Sequence, residues 1–289
     1  MSKKYIALLM LFGIVSISYF WIGNAKAQKA VSAGPGSYMK EGVIHRNGNS
    51  AVLMVNDPRP MAQAIQALAE EYGWVVDYED PPYISEVIDV APHDWRRTHP
   101  MSKGGHIPGG GSFQFDYDEG ATGAGTSGEK NILEKLASAY NLTGNPGKFE
   151  MISQSANRYT VIGRSIKDEN GIDKEVPSVL DTPITIPLQS RSVGETVNLI
   201  LTELSLASKA TVSTPYPLEN ITTQITVGGA NVKARSLLIQ AFEASKRPFT
   251  YRLLYDADNQ IYFLNLSVAV QSTTDTFGRK SYVPIDRIR

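Results

Sequence analysis

Half of this chain repeats the other half. Residues 132–162, ILEKLASAYNLTGNPGKFEMISQSANRYTVI, align without a gap on residues 234–264, ARSLLIQAFEASKRPFTYRLLYDADNQIYFL. The alignment sets Leu136 against Leu238, Tyr140 against Phe242, Pro146 against Pro248 and Asn157 against Asn259. Upstream, Met61, Ile65, Leu68, Ala69 and Tyr72 match Val193, Val197, Ile200, Leu201 and Leu204 at a constant offset. Each series has helical spacing and makes one apolar stripe. A pattern written twice has to be buried twice, so the expected fold is α+β: two tandem small α+β modules, each with two helices packed on small sheets of its own. No single sheet is expected to run through both.

The offsets differ, 132 for the first helices and 102 for the second, so the first copy carries about 30 extra residues between its helices. Gly-rich runs such as GGHIPGGGS and GATGAGTSG place the insertion near 97–128, around the alternating segment FQFDYD. Either FQFDYD or EVIDV matches the QITV of the second copy.

Local signals mark the elements. Pro58 and Pro60 open a helix with Asp57 as its cap, and Gly73 supplies the left-handed residue that ends it, so WVVDY follows as a strand with no loop. Ser192 and Glu195 form a capping box for the matching helix. Asn47-Gly48 and Asn170-Gly171 are hairpin turns. The expected organisation is a leader at 1–27, a first module at 28–168, a hairpin linker at 169–183, a second module at 184–270, and an aperiodic, mobile tail at 271–289.

The leader reads as MSKK, an apolar run from Tyr5 to Gly23, and NAKA ending at Ala27, the three parts of a secretory signal. The apolar run is also long enough to serve as an uncleaved anchor, the one case in which the chain would hold a membrane. The expected location is periplasmic or secreted. Without a single Cys, the chain cannot be a disulfide scaffold and depends on an apolar core. Cleavage removes Lys3, Lys4 and Lys26 and leaves 25 basic against 29 acidic residues, with no clustered basic face, which argues against nucleic acid.

The order helix, strand, strand, helix, strand, strand, with AQAIQALAEEYGWVVDYE and ARSLLIQAFEASKRPFTYRLL at its helix-to-strand corners, resembles the short N-terminal module of secretins and of TonB-dependent transducers (the STN, or secretin N0-like, domain). The resemblance covers residues 51–163 and 184–268. It implies a compact α+β fold that serves as a periplasmic docking domain for other proteins. The large outer-membrane domain of those families has no counterpart after the modules, so pore or transport activity is not carried over.

Chemical motifs are incomplete. Gly123 and Gly128 have phosphate-loop spacing, but Glu129, Lys130 and Asn131 stand where a Lys and then a hydroxyl are required; Thr126 with Glu129 reads instead as a capping box. His93, Asp94, His99 and His106 lack the spacing of a zinc site. Asp116, Asp118 and Glu119 suggest a calcium loop, but Gly120 comes one place early and Ser127 occupies the position of the bidentate Glu. Ser127 lacks the second Gly of a nucleophile elbow. Phe249, Tyr251 and Leu253 share one strand face, with Tyr255, Tyr262 and Phe263 nearby, and read as core rather than as a binding platform. No catalytic, cofactor or metal residue is assigned. The expected function is a non-enzymatic adaptor with a protein partner in the cell envelope; a binder of wall glycan or peptide is the alternative, and an extracytoplasmic hydrolase the third reading.

Overall fold

The computed structural model describes residues 41–90, 105–122, 126–155, 157–277 and 279–285. The expected leader lies outside them, and among the described residues no helix is long and apolar enough to cross a membrane.

The first half opens with a hairpin, β1 (Val43–Asn47) and β2 (Ser50–Asn56), turned at Gly48 with φ +62° as Asn-Gly requires. Helix α1 (Pro60–Tyr72) begins with Pro60, whose missing N–H would have had no partner there. Asp57 does not cap it: its Oδ1 accepts the Arg59 N–H at 2.7 Å, one residue before the helix, so it shapes the entry turn. Gly73 ends the helix at φ 69°, ψ 35°, and the N–H groups of Gly73 and Trp74 both return to the Ala69 carbonyl. Strand β3 (Val75–Glu79) follows, then a short hairpin of β4 (Val87–Asp89) and β5 (His106–Pro108), then β6 (Ser112–Asp118), α2 (Thr126–Asn141), β7 (Lys148–Ser155) and β8 (Arg158–Lys167). β6 pairs antiparallel with β2, while β3 runs parallel to β8 and β7 antiparallel to it.

The second half takes the same course. β10 (Pro183–Ser192), α3 (Val193–Ser208), β11 (Thr211–Ser213), β12 (Gln224–Lys233), α4 (Ala234–Ala244), β13 (Phe249–Asp256) and β14 (Ile261–Val268) follow in order. β10 pairs with β12 as β2 does with β6, and β11 runs parallel to β14 as β3 does to β8. The counterpart of QITV is therefore FQFDYD, in β6. The Ser192–Glu195 capping box is formed on both sides, Glu195 N–H to Ser192 Oγ and Ser192 N–H to the Glu195 carboxylate. Leu136 and Leu238 are both fully buried, each inside its own half's apolar cluster.

Three expectations need correction. First, the halves do not keep separate sheets. β3 pairs in parallel with β13 through Arg252↔Tyr78 and Leu253↔Glu79, which joins six strands in the order β11-β14-β13-β3-β8-β7, with β9 (Asp173–Glu175) on the far part of β8. The reason lies in β3, all five of whose residues are buried: with both faces covered, its free edge could not be left to water. The described residues accordingly belong to one compact unit holding two apolar clusters. Second, the stretch 97–128 is not all excursion, because it contains β6, whose Phe113, Phe115 and Tyr117 alternate into the core. Among the described residues the extra material is the β4–β5 hairpin between β3 and β6. Third, the tail is ordered as a ribbon, β15 (Val270–Thr274) with β16 (Lys280–Pro284), and Ser272 Oγ donates to Glu71 on α1 at 3.2 Å. Aperiodic sequence suffices there because the ribbon uses backbone pairing rather than a buried face.

Candidate functional site

Polar chemistry concentrates where the halves meet. Along β3 the side chains alternate: Val76 and Tyr78 enter the first half's core, so Asp77 and Glu79 turn to the opposite face, toward Tyr251 of β13 and Arg235 of α4. Asp77 receives Arg158 Nη1 at 2.7 Å on one oxygen and the Tyr251 N–H at 3.0 Å on the other. Glu79 is held in a fork by Arg235, Nε to Oε1 at 2.6 Å and Nη2 to Oε2 at 2.7 Å, and also accepts from the Tyr251 hydroxyl at 2.6 Å and from Ser178. One residue on, Asp80 accepts from Arg59 Nε at 2.7 Å, from the hydroxyls of Tyr78 and Tyr83 at 2.6 and 3.2 Å, and from the Tyr255 N–H at 2.9 Å. Three carboxylates thus meet three arginines. Asp77, Glu79, Asp80, Arg158 and Arg235 are all buried.

Around this core, Asp181 takes Arg235 Nη1 at 2.6 Å, Arg164 Nη1 at 2.7 Å and Lys233 Nζ at 3.2 Å. Burial works against its charge, but these cations outweigh it and hold its carboxyl below the ordinary range. Asp77 shows the opposite balance: burial raises it despite Arg158. Burial, reinforced by the negative charge of Glu79, raises the Tyr251 hydroxyl well above its usual value. Arg158 Nε and the Thr160 hydroxyl, on the same strand face, are buried with no partner among the described residues.

Every carboxylate oxygen in this joint is already taken by a donor from the chain. The DYE that closes β3 was its legible signal: acids at 77 and 79 inside an otherwise apolar strand demand buried cations, though the sequence does not say which.

The residues singled out by motif are dispersed. His93, Asp94, His99 and Gly123 lie outside the described residues. His106 pairs with Asp258 through Nδ1 at 2.6 Å, tying the β4–β5 hairpin to the turn between β13 and β14. Of the acids set against a calcium loop, Asp118 accepts the Gly120 N–H at 2.9 Å, Asp116 accepts from Gln114 Nε2 at 3.4 Å, and Glu119 binds Arg46 and the Tyr72 hydroxyl. Lys130 faces Glu134 at 3.7 Å along α2, and burial raises the Glu129 carboxyl. Among the described residues no group of three or more His, Cys, Asp or Glu side chains is placed to hold a metal. Phe249, Tyr251, Leu253 and Tyr262 are buried in the second half's core, leaving Tyr255 and Phe263 partly covered.

The remaining surface of the described residues offers strand edges and clefts. The shared sheet ends in β7 on one side and the three-residue β11 on the other, and β10 with β12 forms a sheet of two strands, each with one open edge. A cleft between α1 and β13 has Ile65, Trp74 and Val76 on one wall and Val268 to Val270 on the other, and Gln66, Glu70, Thr250, Arg252 and Ser267 line it too. Sequence reasoning passed over Arg252, because a single Arg on an alternating strand carries no motif.

No family model, no curated protein and no solved structure matches the chain.

Proposed function

We propose that this chain is a non-enzymatic docking protein of the cell envelope, built from two tandem STN-like modules fused through a common sheet and engaging a protein partner by strand edges or helix faces. The observation that carries the reading is the repetition: strand, helix, strand, strand, helix, strand, strand occurs twice with the same pairings and a separate apolar cluster each time. From its first helix onward, this order is the helix, strand, strand, helix, strand, strand on which the resemblance to the STN module rests. The self-satisfied joint fits the same role, because a fused pair of modules presents its edges at a fixed separation. The leader MSKK to Ala27 is the basis for placing the protein outside the cytoplasm.

The test is affinity capture from an envelope extract with the exported chain as bait. One stoichiometric protein partner supports docking. Retention on purified wall material with no such partner would replace it with glycan or peptide binding, a reading weakened by the burial of Phe249, Tyr251 and Tyr262.

A further inference from the structure

Among the described residues, three arginines that sink into the fold come with acids. Arg59 has Asp80, Arg158 has Asp77 and Arg235 has Glu79, at 2.6 to 2.7 Å. Arg252 does not. It stands on β13 beside Tyr78 of β3, on the face turned toward α1, and its one side-chain hydrogen bond among the described residues is from Nη1 to the Gln66 Oε1 at 2.8 Å. Glu70 lies near enough for its charge to be felt, but Gln66 stands between: its Nε2 donates to Glu70 Oε1 at 2.7 Å, so the acid is tied to an amide and not to the guanidinium. Burial consequently lowers the Arg252 pKa, whereas Asp80 and Glu79 leave Arg59 and Arg235 raised against the same burial.

A guanidinium with most of its N–H groups uncommitted among the described residues, in a cleft that Gln66, Glu70, Thr250 and Ser267 line together with apolar side chains, is complementary to a carboxylate arriving on a short apolar stem. The cleft has a cavity volume of about 60 Å³. A carboxylate on a methyl-sized stem is the smallest group that would meet both the guanidinium and the apolar part of the lining. Its walls, Trp74 and Ile65 on one side and Val268 on the other, would cover that methyl group.

We propose that the cleft between α1 and β13 receives the C-terminal carboxylate of a partner polypeptide, with the carboxylate on Arg252 and a small apolar last side chain against Trp74. The inference deepens the docking reading and takes the nature of the occupant from it.

The probe is acetyl-Ala-Ala with a free carboxylate, compared with the same peptide amidated, titrated to millimolar concentration into the exported chain. The Trp74 indole N–H and Arg252 side-chain signals are followed by ¹H–¹⁵N NMR. Removing a charge-assisted bond weakens binding by about tenfold or more, so the acid shifts both signals and the amide binds at least that much more weakly. Arg252→Gln abolishes the difference between the peptides, and Arg252→Lys keeps part of it. Equal binding of acid and amide, or no response to either, overturns the proposal, and the wild-type comparison decides even if a variant fails to fold. A protein partner retained in full by R252Q ends this inference and leaves docking intact; carboxylate-selective binding with no protein partner in the extract keeps the cleft and removes docking.

Discussion

At the scale of single residues, the joint sets which changes are tolerated. Glu79→Ala leaves Arg235 buried, with only Asp181 left to pair it, and the loss is expected to be about 3–5 kcal/mol in urea unfolding. Replacing both Glu79 and Arg235 with Leu and Met should recover most of it, because no buried charge is then stranded. Thr160→Val removes a buried hydroxyl that has no partner among the described residues, so it is expected to leave stability unchanged or raise it by about 1 kcal/mol. Asp181 gives the molecule an acid limb. Its folded-state pKa is depressed, so its stabilising effect is complete above the ordinary carboxylate pKa of about 4 and fades as pH falls below it. Thermal midpoints of wild type and Asp181→Asn should therefore differ at pH 7 and converge toward pH 2. An unchanged gap across that range would mean that Asp181 is not held by Arg235, Arg164 and Lys233.

At the scale of elements, the corner after α1 depends on Gly73. Its φ of +69° disfavours a side chain, and an added Cβ would meet Gln271 and Ile285 of the terminal ribbon at 3.2 to 3.3 Å. Gly73→Ala is expected to cost about 1 kcal/mol or more in unfolding free energy. Removal of residues 97–128 would take out β6 and with it Phe113, Phe115 and Tyr117, so the shortened chain should show no cooperative melting of the first half by circular dichroism. Helix stripes, both hairpins, the Gly73 corner and the Ser192 capping box were all legible in the sequence, because each rests on neighbours a few residues apart. The β4–β5 hairpin and the β15–β16 ribbon were not. Three-residue strands carry no period, and a ribbon held by backbone pairing needs no apolar alternation.

At the scale of the whole molecule, repetition predicted two cores and missed the shared sheet. The β3–β13 pair joins residues far apart in sequence, and the residue that should have warned of it was the acid at 77: a carboxylate turned inward on a strand must meet a donor from somewhere the sequence does not name. The candidate cleft was hidden for the same reason, since Arg252 acquires meaning only once β13 lies beside α1. The fused sheet predicts one transition rather than two. Intrinsic fluorescence and far-ultraviolet circular dichroism should give coincident urea curves, and a fragment ending near residue 168 should not reach the stability of the intact chain. Separate midpoints for the two probes would mean that the halves unfold independently.

Asp77 and Tyr251 touch, yet 174 positions separate them. While the polypeptide is being made or threaded, Asp77 can find Arg158 within the first half, but Glu79 and the β13 side of β3 wait until most of the second half has arrived. Closing so wide a loop is slow, and an early half left alone in that interval would offer its naked edge to any neighbour.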